Sequence, residues 1–128
     1  MKADLKLVAI LTLSLLPCFL YAEVEQALPV RFAELIKEEN TVLVDVRSPE
    51  EAKAAHIKGS KLVNYYANTF REEIQKLPKT KKILLYCRSG NRSGKTASYL
   101  ESLGFEQLVN QSGGINAWKR EGLPVVEM

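Results

Sequence analysis

Two short apolar runs, Thr41 to Val46 (TVLVDV) and Lys82 to Tyr86 (KILLY), constrain the fold more than any other feature. Both are rich in β-branched or aliphatic residues with almost no polar alternation, the pattern of a strand covered on both faces. Lys61 to Asn64 and Gln107 to Asn110 read as two further strands. Between these runs the periodicity turns helical. Phe32, Leu35 and Ile36 form a stripe within Arg31 to Asn40, and Phe70, Ile74 and Leu77 recur at helical spacing before Pro78 stops them. Ser48-Pro49-Glu50-Glu51 carries the residues of a capping box with proline in the first turn. Arg92 to Leu103 places Thr96, Leu100 and Leu103 on one face, ending at Gly104 with Phe105 as the apolar partner of a left-handed cap. Ile115 to Arg120 reads as a short final helix. Strands alternating with helices predict an α/β fold: a mostly parallel central sheet with helices on both faces. With 46% hydrophobic and 26% charged residues in 128, the chain has the composition of one globular domain.

The first 22 residues have a different character. Lys2 and Lys6 precede the apolar run Leu7 to Leu16, and Pro17 and a tail ending at Ala22 follow. A charged front, a short apolar stretch and a small residue at the break are the pattern of a secretory signal. From Leu7 to Ala22 the segment is shorter than the roughly 20 residues that span a bilayer. The expectation is a signal peptide over residues 1–22, a single domain over residues 23–128, and export to the periplasm with no membrane association after cleavage. Without Lys2, Lys6 and Asp4, 16 basic and 14 acidic residues remain, interleaved and with no basic stripe, which argues against a nucleic-acid partner. Cleavage also removes Cys18 and leaves Cys87 alone, without a disulfide partner. With so few cysteines and one histidine, no metal site and no cofactor are expected.

Cys87 is the first residue past the KILLY strand, and Arg88-Ser89-Gly90-Asn91-Arg92-Ser93 leads from it into a helix. In open α/β sheets ligands bind beyond the carboxyl ends of strands. A loop curling into a helix N-terminus presents unpaired N–H groups and the positive end of the dipole, and Gly90 permits the turn. A thiol facing such a cradle, with Arg88 and Arg92 nearby, is expected to be acidified below its ordinary value. The bland alternative, a small buried hydrophobe closing a strand, fits poorly with the polar and basic residues that follow.

Four ordered segments resemble the single-domain rhodaneses, small periplasmic thiosulfate sulfurtransferases among them. They are Asp45-Val46-Arg47-Ser48 with Glu51; His56-Ile57-Lys58-Gly59-Ser60 with Asn64; Cys87 to Ser93; and Gly113-Gly114-Ile115-Asn116-Ala117-Trp118 with Gly122-Leu123-Pro124-Val125. The chain departs from the pattern at Ser60, where alanine is commoner, and at Tyr65-Tyr66, which replace a frequent Ile-Pro. Cysteine-dependent phosphatases, the main rival, need an arginine six positions after the cysteine. Here that position is Ser93, and Arg92 lies one residue nearer, in a loop sized for sulfur rather than phosphate.

The resemblance implies sulfur transfer through a persulfide on Cys87, from thiosulfate or a related donor to cyanide, a small thiol or a thiol-bearing protein. Arg88, Ser89, Gly90, Asn91, Arg92 and Ser93 are then the substrate-binding loop. Arg92 is expected either to polarise the cradle or, the favoured role, to pair with Asp45 and pin the loop to the neighbouring strand. Asp45 and Arg47 are expected to support the site, with Arg47 either lining the entrance or solvated. His56 is expected in a structural turn, Trp118 in the core, and Gly113 and Gly114 at a close approach to the last helix. Two alternatives use the same thiol: a persulfide carrier for a protein partner, and a redox-sensing module.

Overall fold

The computed structural model describes residues 23–128, so the signal segment and Cys18 lie outside the described residues. Five strands form one all-parallel sheet in the order β1-β5-β4-β2-β3. They are β1 (Glu25–Ala27), β2 (Thr41–Asp45), β3 (Lys61–Leu62), β4 (Lys82–Tyr86) and β5 (Leu108–Gln111). The helices are α1 (Pro29–Ile36), α2 (Pro49–Ala54), α3 (Phe70–Gln75), α4 (Asn91–Ser102) and α5 (Gly114–Arg120).

The unbroken apolar runs have a direct cause. Alternate side chains of β2 and β4 enter two separate cores. Val44, Ile83 and Leu85 pack with Ile74, Ala97, Leu100 and Phe105 on one face. On the other, Leu43, Leu84 and Tyr86 pack with Phe32, Leu35, Ile115 and Trp118. A strand covered on both sides has no position at which a polar residue can reach water.

The caps form as their residues dictate. Ser48 Oγ accepts from the Glu51 amide at 3.3 Å, and Glu51 reaches back to the Ser48 amide at 3.4 Å. At the end of α4 the Gly104 amide donates to the Glu101 carbonyl and the Phe105 amide to that of Leu100, the paired bonds of a Schellman motif. Some boundaries differ from expectation. Helix α1 begins at Pro29, which takes the first helical position, and the chain turns after Ile36 into Asn40 at φ 59°. Strand β3 is two residues long. Strand β1 was not foreseen, since Glu25-Gln26-Ala27 has little intrinsic strand preference and is held by its pairing with β5.

Candidate active site

Cys87 stands at the carboxyl end of β4, the central strand of the sheet, and the chain curls from it through Arg88, Ser89 and Gly90 into α4. Gly90 occupies the N-cap position at φ 96°, a left-handed conformation that a side chain disfavours. Helix α5 closes the loop from outside. Its first amides, on Ile115 and Asn116, donate to the carbonyls of Cys87 and Arg88 at 2.8 and 3.2 Å. These orphan donors of a helix N-terminus thus take up the outward carbonyls of the loop.

The sulfur meets donors on the inside. The Gly90 amide lies 3.1 Å from Cys87 Sγ, and the Ser93 hydroxyl donates to it at 3.3 Å. Burial pushes the thiol up, since only 1% of the residue is exposed, but hydrogen bonds from the Ser93 hydroxyl and from the amides of Ser93, Ser89 and Gly90 outweigh it. The thiol therefore lies below its ordinary value. Ser93 is itself fully buried, so its hydroxyl serves the sulfur and not the loop's outer surface. Arg88, Ser89 and Asn91 are exposed. Arg88 borders a cavity of about 240 Å³ together with Lys119, Asn116 and Ile115 of α5, Arg47, and Glu51, Ala54 and Ala55 at α2.

The expected Asp45–Arg92 pair does not form. Asp45 is fully engaged elsewhere: it accepts from Arg47 Nε and Nη2, from the Arg47 amide and from Tyr86 Oη. Arg47 in turn is not solvated: it is paired with Asp45 and forms part of the wall of the cavity beside Arg88. It is 3% exposed, and its Nη2 donates to the Ala55 carbonyl at 2.6 Å, tying the end of α2 to β2. Burial, followed by the Asp45 charge, pushes the Tyr86 hydroxyl up to about 12, so it remains a donor to Asp45.

Arg92 pairs with Glu51 instead, in a two-pronged bridge with Nη1 and Nη2 at 2.8 and 2.9 Å from the carboxylate oxygens. The exposed Tyr66 ring lies 5.4 Å from its guanidinium, so both Arg92 and one of the two unusual tyrosines border the loop. Glu51 thus has two tasks: it caps α2 and clamps Arg92. Its second task was missed from sequence, although a residue on the first turn after β2 emerges on the same rim as the loop after β4.

The Arg92 bridge, opposed by partial burial and helped by the Ser48 amide, holds the Glu51 carboxyl down at about 2. A depressed carboxyl stabilises the fold above its unfolded value near 4.5, and that contribution is lost as pH falls through about 2. Glu51→Gln is therefore expected to lower stability by about 1–2 kcal/mol at pH 7, allowing for partial exposure. Urea denaturation at pH 7, 4 and 2 checks this: the gap to wild type narrows towards zero at pH 2. A gap that does not change with pH contradicts it.

The remaining residues fall where packing needs them. His56 exchanges both backbone bonds with Val126 and donates through Nδ1 to the Ala52 carbonyl at 2.9 Å, so it binds the C-terminal segment to the end of α2. Trp118 packs edge-on against Phe32 and donates to the Pro124 carbonyl. Gly113 caps α5 at φ 80°, and a Cβ on Gly114 would lie 2.3 Å from the Arg88 carbonyl group, so Gly114 permits the close approach of α5 to the loop.

The family model for the rhodanese-like domain matches residues 28–121, from the start of α1 to the end of α5. A sulfurtransferase of Allochromatium vinosum is 36% identical over 88 residues, covering 69% of this chain and 80% of that protein. The thiosulfate sulfurtransferase GlpE of Pseudomonas fluorescens is 36% identical over 93 residues, covering 72% and 83%. The crystal structure of a rhodanese-related protein from Thermoplasma volcanium superposes with a TM-score of 0.70 at 31% identity, covering 80% of this chain and 97% of that one. With Cys87 at the head of its loop and all five helices within the matched span, the chain belongs to the rhodanese-like family.

Proposed function

We propose that the protein is a sulfurtransferase that carries a sulfane sulfur from thiosulfate, or a related donor, to a thiophilic acceptor through a persulfide on Cys87. One observation carries this reading: a cysteine sulfur within 3.1 Å of a loop amide and 3.3 Å of a buried hydroxyl, at a helix N-terminus. The names of the relatives in Allochromatium and Pseudomonas support the same class.

In the first step the Cys87 thiolate attacks the outer sulfur of thiosulfate. The S–S bond of the donor breaks, and sulfite leaves with the bonding pair. The new outer sulfur carries the negative charge, and the loop amides of Arg88 to Arg92 are the donors aimed at it. Arg88 and Lys119, at the rim of the adjoining cavity, attract the anionic end of the donor. In the second step cyanide or a thiol attacks that outer sulfur, and the Cys87 thiolate leaves unchanged. One difficult exchange becomes two easier ones.

Steady-state rates with thiosulfate and cyanide varied together test the two-step scheme. The expected result is a set of parallel double-reciprocal lines. Lines that intersect would mean that donor and acceptor react directly on the protein, and the persulfide reading would fall. The charged front and apolar run of residues 1–22 support a further part of the proposal, export to the periplasm with cleavage after Ala22. N-terminal sequencing of the exported protein tests it: Glu23 is the expected first residue.

A further inference from the structure

Gly90 supplies the amide nearest the sulfur, yet a glycine at φ 96° has little of its own to hold it in place. Its carbonyl is held from beneath. Asn110, on β5, is 4% exposed and donates from Nδ2 to the Gly90 carbonyl at 3.2 Å. The same nitrogen donates to Gln26 Oε1 on β1 at 2.9 Å. The orientation of the amide is forced, because the Gly90 carbonyl can only accept. A Cβ on Gly94 would meet Asn110 Nδ2 at 3.3 Å, so the side chain is wedged under the first turn of α4. Asn110 Oδ1 has no partner among the described residues, and a buried orphan acceptor is tolerated here only beside two donated bonds.

Resting on the sulfurtransferase reading above, we propose that Asn110 is a positioning residue, which pins the Gly90 carbonyl so that the Gly90 amide stays aimed at Cys87. Gln26, at the edge strand β1, orients Asn110 in turn. The N-terminal strand thereby reaches the nucleophile through three residues: Gln26, Asn110 and Gly90. The Gly90 carbonyl also accepts from the Gly94 amide at 3.0 Å, so losing Asn110 leaves α4 capped and removes one of the two bonds that fix the glycine.

The test reads the acidity of Cys87 directly, as the rate of iodoacetamide alkylation against pH, with peptide mass mapping to separate Cys87 from Cys18. Asn110→Leu keeps the number and branching of the side-chain heavy atoms and removes both donated bonds. Its titration midpoint is expected to rise by roughly 0.5–1 pH unit, the value of one hydrogen bond to the thiolate. The nearby charges, Arg88 on the loop, Arg92 with its partner Glu51, and Lys119 on α5, are the same in both proteins, so they do not account for a shift. A folded variant with the wild-type midpoint overturns the proposal.

Gln26 is exposed, and its variants decide the matter if Asn110→Leu does not fold. Gln26→Met is expected to raise the midpoint by a smaller amount. Gln26→Glu, which keeps the acceptor, is expected to restore it when measured at 1 M salt, where charges are screened beyond about 3 Å. A purely structural role would alter the melting temperature and leave the midpoint unmoved, which also overturns the proposal. The midpoint is read whether or not sulfur is transferred. Shifted midpoints in a protein that moves no sulfur would therefore sink the proposed function and leave the role of Asn110 standing.

Discussion

Cys87→Ser is expected to lower thiocyanate formation from thiosulfate and cyanide by about a thousandfold or more, about 4 kcal/mol in the barrier. The substitution is nearly isosteric and keeps every donor around the site. The Gly90 amide and the Ser93 hydroxyl lie within reach of a serine oxygen as they do of the sulfur. What is lost is an atom that ionises near neutral pH and bonds readily to sulfur. Stability should change little, because the side chain remains small and its hydrogen bonds survive in the fully buried site. Equal urea midpoints with collapsed turnover, measured on the same preparation, are the expected pair of results. Turnover that survives the substitution would place the reacting sulfur elsewhere.

Gly114→Ala carries the second large effect, through packing alone. A Cβ at this position would lie 2.3 Å from the carbonyl carbon and oxygen of Arg88 and 2.5 Å from the Ser89 nitrogen. All three are backbone atoms of the nucleophile loop, so no side chain can swing aside to relieve the clash. The backbone at φ 60° adds the left-handed penalty. Together these cost about 2–4 kcal/mol of stability. Relief requires α5 and the loop to separate, and that breaks the bonds from Ile115 and Asn116 that turn the loop carbonyls outward. Activity is expected to fall at least about a hundredfold, equivalent to about 2.7 kcal/mol in the barrier. Gly122→Ala is the control. Gly122 has φ 72° but nothing within 4 Å of the added carbon, so it isolates the backbone penalty. That variant should lose about 1 kcal/mol and keep full turnover. Equal losses of activity in the two variants would refute the close-approach explanation.

The parts of this molecule that were legible in the sequence are those whose cause is local. The TVLVD and KILLY strands, the Ser48–Glu51 capping box and the Gly104–Phe105 helix end each depend on neighbours a few residues apart, and each forms where its residues predict. The thiol at the end of β4, above a helix N-terminus, was legible for the same reason. Pairings across the sheet were not. Arg92 was expected to reach Asp45, but the burial of Arg47 two residues on from Asp45 gives that carboxylate a nearer partner. Glu51 was then left as the acid on the same rim. Strand β1 and the Gln26–Asn110 contact, 84 residues apart, have no local signal at all. Hydrophobic periodicity says which face a residue occupies, but the choice among several charged partners is made only when the strands take their order.

Sulfur loading of the thiol tests the central claim most directly. The protein is incubated with thiosulfate, freed of small molecules and measured by mass, with Cys87 resolved by peptide mapping. The expected result is a gain of one sulfur atom on the Cys87 peptide, discharged on adding cyanide and absent from Cys87→Ser. A Cys87 peptide that stays at its unmodified mass under thiosulfate, while gaining oxygen under peroxide, would contradict sulfur transfer and leave a redox-sensing thiol in its place.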